Sequence, residues 1–255
     1  MLDYSVIQVW LLLFARMASF IFIAPFFSMQ GIPALLKVGF SFLLSVIIYP
    51  IVNYVPLGEL TPGVWWFMVI KEVAVGLAMG FLAGMIFSAI RIAGELIDIQ
   101  MGFAMASVLD PQTQFRTTLM GQFKYLVAML VFIALDGHHV LIAALAHSYS
   151  VVPIAGADVQ PVLGLFFLKV FIGMFALAFK IAAPIIAVLV ISDISLGLIA
   201  RTVPQLNVFI LGFPLKAGLG MVTVALVLPL FVVVIGYLIS QMERDLISVL
   251  EYFLP

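Results

Sequence analysis

Cysteine is absent from the 255 residues, which excludes disulfides and thiolate metal sites. Charge is scarce too. Asp, Glu, Lys and Arg make up 9% of the chain and hydrophobic residues 65%, whereas soluble domains carry about 25% charged residues. A soluble fold of this length could not cover its surface with so few, so lipid or protein partners must cover much of it. The net charge of −1 gives no electrostatic case for nucleic-acid binding. The first apolar segment opens with Asp3, has no basic region before it and no small-residue cleavage site leading into a polar stretch. It reads as a retained membrane segment, not a signal peptide. Reactive constellations are missing as well. There is no HExxH, no G-x-S-x-G and no second aspartate in a recognisable dyad. His139 and His147 stand eight residues apart, a poor metal spacing, so Asp136, His138 and His139 in "DGHH" read as polar groups that break or cap a helix. No catalytic residue, metal or cofactor is expected.

What is present is long apolar sequence. Uncharged runs cover Met17–Leu36, Val38–Gly58, Val73–Ile90, Gly137–Ala157 and Ala217–Met242. A spanning helix needs about 20 apolar residues. Allowing one charge in each, six hydrophobic segments lie near 4–28, 34–56, 64–98, 122–150, 164–192 and 206–242, which predicts an all-α membrane protein with a single domain over 1–255. Pro25, Pro33, Pro50, Pro184, Pro204, Pro214 and Pro229 fall within or beside these segments and predict broken helices. In lipid a broken helix survives only where protein or water satisfies its freed backbone groups. Counting basic residues in alternate loops puts Lys37, Arg91, Arg116, Lys124, Arg201 and Lys216 on one side and Lys71, Lys169 and Arg244 on the other. The positive-inside rule then places both termini outside. No internal repeat is visible.

Several constellations stand out against this background. Gly76, Gly80 and Gly84 are four residues apart and Ser88 continues the series. On a helix they share one face that lets another backbone come close, either within the chain or in an oligomer. Arg91, Glu95 and Asp98 fall within roughly 60° of one another around a helix. They form a polar stripe, which suits a wet channel wall, a partner's charged face, or a self-neutralising Arg91–Glu95 pair at a membrane edge. Arg16 and Lys180 are single charges inside apolar runs, expected to face protein or water. Lys169 and Lys180 share a face about 16 Å apart, and Lys169 suits snorkelling to an interface. Asp193 is a possible partner for either basic residue. Finally, the stretch from Glu95 to Lys124 interrupts the apolar pattern with charges, glutamines, a Met-Gly-Phe-Ala-Met run and the Asp110-Pro111 turn signal. It reads either as an ordinary interhelical loop or as a deformable seal lining a pore, since methionine adapts to changing shapes.

Four blocks carry a resemblance: "FARMASFIFIAPFFSMQGIPALLKVGFSFLLSVIIYP", "MGFAMASVLDPQ", "LDGHHVLIAALAHSYSVVPIAG" and "ISDISLGLIARTVPQLNVFILGFPLKAGLG". In this order, and over essentially the whole chain, the sequence resembles the flagellar export-gate FliR family, whose relatives serve virulence type III secretion. One departure is Asp136, where family members often have Asn. The resemblance implies a non-enzymatic subunit of the bacterial inner membrane and flagellar basal body. One copy would assemble with several copies each of FliP and FliQ, and FlhB would associate with the complex. Together they would form a helical, closed gate through which unfolded flagellar proteins pass, with hairpin helices winding around the pore. Fusion to FlhB in some members implies a cytoplasmic C-terminus, against the loop count above. The family's pore-plugging loop matches residues from about Gly102 to Gln122. Within and beside it, Met101, Gly102, Phe103, Met105, Asp110, Pro111, Phe115 and Met120 are the candidate plug residues on chemical grounds. The rival reading is a stand-alone secondary transporter, which broken helices and buried charges also fit but which should show repeated halves.

Overall fold

The computed structural model describes residues 4–29, 31–52, 61–103, 118–203, 205 and 207–254. Among these residues the regular elements are all α-helices: α1 Tyr4–Ile23, α2 Ala34–Ile48, α3 Pro62–Met101, α4 Leu119–Ala134, α5 Gly137–Val151, α6 Leu163–Thr202 and α7 Val208–Glu251. Four of them, α1, α3, α6 and α7, are long and apolar enough to cross a membrane. The pair α4 and α5 makes a fifth, bent by 68° at its break. At 15 residues, α2 falls short of the roughly 20 that a span needs. The expected six independent segments therefore become four long helices and one broken pair.

Pro33 caps the start of α2, and Pro25 and Pro50 follow the ends of α1 and α2, but the break between α4 and α5 carries no proline. Pro184 lies inside the 40 residues of α6, and Pro214 and Pro229 lie inside the 44 residues of α7, without ending either helix. A proline removes one amide donor and crowds the carbonyl four residues back, which a long helix absorbs when its remaining ladder is intact. The apolar stretch over 122–150 is instead divided at Asp136, whose φ of 56° is left-handed. Aspartate tolerates that region because its side chain is short and polar. The loop count of basic residues loses its footing at the same time, because Arg91 and Lys124 lie within α3 and α4.

The chain divides into two compact units. The first comprises Met1–Ile86, Ile133–Phe171 and Leu238–Pro255; the second comprises Phe87–Phe132 and Ile172–Tyr237. In the first unit α1 lies directly on the backbone of α3. A Cβ placed on Gly76 would strike the Arg16 carbonyl and the Ser19 hydroxyl, and one on Gly80 would sit 3.1–3.3 Å from Phe20 O, Ile23 Cβ and Ala24 N. A Cβ on Gly84 would meet open space, and Ser88 is exposed, so the close approach of α1 ends at Gly80. Leu12, Leu13, Met17 and Phe20 from α1 and Val75 and Met79 from α3 are fully buried around it.

An ion pair sits inside this apolar core. Arg16 and Glu72 are both completely buried, with Arg16 Nε 2.6 Å from Glu72 Oε2 and Nη2 3.1 Å from Oε1. The remaining nitrogen, Nη1, donates to the carbonyls of Ser148 and Val152 and to Ser148 Oγ at 3.0–3.2 Å. The guanidinium lies over the Tyr149 ring at 4.3 Å, and the Tyr149 hydroxyl donates to the Leu13 carbonyl at 2.9 Å. Glu72 Oε1 also accepts the Ala155 N–H at 2.9 Å. The isolated charge of α1 is thus held by α3, by α5 and by the chain just beyond α5.

Breaking one side of such a pair leaves an uncompensated buried charge, which costs about 3–5 kcal/mol, whereas replacing both members with apolar residues of similar volume is often neutral. Glu72→Gln and Arg16→Met are each expected to lower unfolding stability in detergent by about that amount, and the Arg16→Met/Glu72→Met double variant to recover much of it. Single variants that unfold like the wild type would refute this role.

Candidate functional site

In the second unit, the polar segment between α3 and α4 is anchored at both ends. At the first end, α3 stops in a Schellman motif. Phe103 N donates to Asp98 O at 3.0 Å and Gly102 N to Ile99 O at 3.1 Å. Gly102 has a φ of 88°, the left-handed position that this motif assigns to glycine. At the second end, the first turn of α4 carries amides with no partner inside the helix. The Asp98 carboxylate supplies one from α3. Met120 N lies 3.0 Å from both Oδ1 and Oδ2, and Gly121 N lies 3.3 Å from Oδ2. A carboxylate at a helix N-terminus is also favoured by the helix dipole. One residue thus contributes its carbonyl to the end of α3 and its side chain to the start of α4.

Glycines allow the two helices to approach this closely. A Cβ on Gly94 would collide with the backbone of Gly121, and one on Gly121 would collide with Thr118 Oγ1. Further contacts hold the end of α3 against α7. Met101 is fully buried, and a Cβ on Gly220 would fall 2.7–2.8 Å from its Cε, Cγ and Sδ. A Cβ on Gly102 would strike the Phe213 ring. Beside them is a small polar cluster. Asp193 of α6 receives Lys216 Nζ of α7 at 2.7 Å and Gln100 Nε2 of α3 at 2.9 Å.

The residues singled out by sequence therefore take different places. Met101 is packed in the helix base, Gly102 forms the helix stop, Phe103 is half-buried, and Met120 presents its amide to Asp98. Met105, Asp110, Pro111 and Phe115 lie outside the described residues. Of the polar stripe, Asp98 is buried, Glu95 half-buried and Arg91 exposed. The Arg91 guanidinium lies 4.6 Å from the Tyr125 ring centroid. Among the buried-charge candidates, Arg16 is enclosed in the first unit, while Lys180 is exposed on α6, as is Lys169. The Asp193 carboxylate binds Lys216, a pairing not anticipated. Lys124 is almost fully buried, with its ammonium 4.5 Å from the Phe231 ring centroid. Side-chain ligand atoms of Asp136, His138 and His139 come within 4.8 Å of one another, a grouping that their spacing did not suggest. Asp136 and His139 are largely exposed, and His139 Nδ1 lies 3.2 Å from Asp136 Oδ1.

Glu72, Gly94, Gly121 and Lys216 were missed. Glu72 carried a legible signal, because an acid beside one apolar run can answer the lone Arg16 in another. The glycines carried none beyond their identity, since Gly94 and Gly121 matter only as a pair.

Asp98→Ala would strand the Met120 and Gly121 amides. Loss of a helix cap costs about 0.5–2 kcal/mol, so the exchange of these two amides with deuterium should accelerate about tenfold, with Asp98→Asn in between. Unchanged protection at both amides would reject the cap.

Over most of its length, this all-α chain with helices long and apolar enough to cross a membrane is similar to known bacterial proteins. It is 36% identical to a flagellar biosynthetic protein FliR of Bacillus subtilis (strain 168) over 236 residues, 91% of this chain and 90% of that one. It is 29% identical to that of Escherichia coli (strain K12) over 238 residues, 92% and 90% of the two chains. It is 33% identical to the Yop proteins translocation protein T of Yersinia pestis over 212 residues, 82% and 81%. Residues 7–242 match the family described as bacterial export proteins, family 1, and with that match running from α1 into the last turns of α7, the chain belongs to this family of bacterial export proteins.

Proposed function

We propose that this chain is a structural and gating subunit of the flagellar type III protein export gate. With several copies each of FliP and FliQ, and with FlhB associated, it forms the pore that passes unfolded flagellar proteins across the bacterial inner membrane. The observation that carries this reading is the match to the export family across residues 7–242, joined to relatives named for flagellar biosynthesis. Exposed apolar surface supports it. In the most apolar stretches of α6 and α7 only 33% and 28% of residues are buried within the chain, which leaves broad faces for lipid or neighbouring subunits. Lys180 on α6 then faces a partner or water, because a lipid-facing charge at depth is costly.

In this reading the segment from Gly102 to Gln122 closes the resting pore. A gate must exclude ions yet yield to a polypeptide, so its closure has to be displaceable and apolar enough to keep water out. The anchors described above support it, because they fix the helix ends on either side of the segment.

Native mass spectrometry of the complex purified through this chain tests the assembly. One copy should appear with several copies each of two other small membrane proteins. A lone chain or a homo-oligomer would point to a transporter and overturn the proposal. The 33% identity to the Yersinia pestis translocation protein favours a second reading, service in virulence secretion. Restoration of motility, and not of effector secretion, in strains lacking their own subunit separates the two.

The plug has its own test. Deleting a few residues around Asp110 should let ions or small solutes into cells while the complex still assembles. An assembled deletion gate as tight as the wild type would reject the plug role.

A further inference from the structure

The first unit carries an apolar groove of about 480 Å³, within the roughly 300–1,000 Å³ of ordinary ligand sites. Its floor is one face of α3, with Ala74, Leu77, Ala78 and Phe81, and Phe167 and Phe253 wall it. The groove has a fixed frame. The segment after α5 is tied to the chain end, with Asp158 N donating to Phe253 O at 2.8 Å and Gln160 N to Tyr252 O at 3.1 Å. Gln160 Nε2 also donates to Leu254 O at 3.0 Å. Phe81 and Phe167 meet with ring centroids 5.7 Å apart.

A pair of opposite charges stands beside this groove. Lys71 precedes Ala74 and Ala78 by three and seven residues on α3, so it continues the same helical face. Asp158 immediately precedes Val159, another lining residue. Lys71 Nζ lies 3.9 Å from Asp158 Oδ1, with the two side chains 22% and 66% exposed. At that separation and exposure the pair is weak, and both groups have capacity for a second partner.

We propose that the groove holds an acyl chain of a zwitterionic aminophospholipid, with the lipid phosphate on Lys71 and its primary ammonium on Asp158. Three features select this occupant. The floor, from Ala74 to Phe81, follows about 10 Å of helix axis. A single acyl chain is slender enough to lie along that length of floor between Phe167 and Phe253. Lipid tails are already in an apolar solvent, so burial alone gives little preference, and selectivity rests on the headgroup. An anionic headgroup without an amine would meet the Asp158 carboxylate unfavourably, and a trimethylammonium has no N–H to donate to it.

The full chain, reconstituted with equal amounts of phosphatidylethanolamine, phosphatidylglycerol and phosphatidylcholine, should retain phosphatidylethanolamine preferentially in native mass spectra. Lys71→Met and Asp158→Asn should each weaken that retention about fivefold, the effect of one exposed charge contact. Ala78→Phe should abolish it by filling the groove. Leu77→Trp, at a more exposed lining position, serves as a second filling variant should Ala78→Phe unfold. Equal retention of the three headgroups, or undiminished retention by a folded filling variant, would overturn the proposal. So would an assembled export complex in which this chain carries no phospholipid, because a protein subunit would then occupy the groove.

Discussion

The first unit depends on one constraint, the burial of the Arg16 guanidinium. A cation in an apolar interior is tolerable only when its charge is countered and its N–H groups are met. Glu72 counters the charge, and Ser148 and Val152 accept what remains. Those acceptors lie on α3 and at the end of α5, so satisfying Arg16 fixes α1, α3 and α5 together. Close packing then follows from the glycines. Gly76 and Gly80 bring the α3 backbone against α1, which keeps the apolar neighbours of the ion pair in contact and water out. Hydrophobic packing alone discriminates poorly among arrangements in a chain this apolar, and a buried pair of charges supplies directionality that packing lacks.

The second unit follows the same economy with different chemistry. Its buried carboxylate, Asp98, is met by backbone amides and not by a cation. A further acid, Asp193, gathers Lys216 and Gln100 from two other helices. With only 9% of residues charged, few polar groups are available to orient the helices, and Asp98, Asp193 and Lys216 sit where helices meet or end. Asp98 joins the end of α3 to the beginning of α4, so one buried carboxylate sets where these two helix ends meet.

This bears on export. The proposed passage for unfolded protein would need apolar exterior faces for lipid and neighbouring subunits, and a closure whose movement leaves the frame intact. Broad open faces on α6 and α7 meet the first need. In the proposed gate the Schellman stop at Gly102, the Met101 contact at Gly220 and the Asp98 cap at α4 would meet the second by holding the helix ends on either side of the segment. Membership of the bacterial export family makes these features intelligible as parts of a secretion apparatus, whereas the same helices without that kinship would suit many membrane proteins.

The sequence by itself determined the class of molecule. Long uncharged runs can satisfy their backbone groups in lipid only as helices, so an all-α membrane protein was legible from composition and pattern. The kinship was legible from four ordered blocks of residues. The helix stop at Gly102 was also within reach, because a glycine after an apolar helical run is a local signal. Tertiary structure alone decided the pairings. Arg16 and Glu72 are 56 residues apart, Asp98 and Met120 are 22 apart, and no spacing rule connects residues on different helices. It also decided that Pro184, Pro214 and Pro229 lie within continuous helices while Asp136 divides one. Proline's local cost is visible in sequence, but whether the surrounding ladder carries it through depends on packing. Gly94 and Gly121 show the same limit: each is an unremarked glycine until the fold brings their two backbones together, and only there does the missing side chain have a physical consequence.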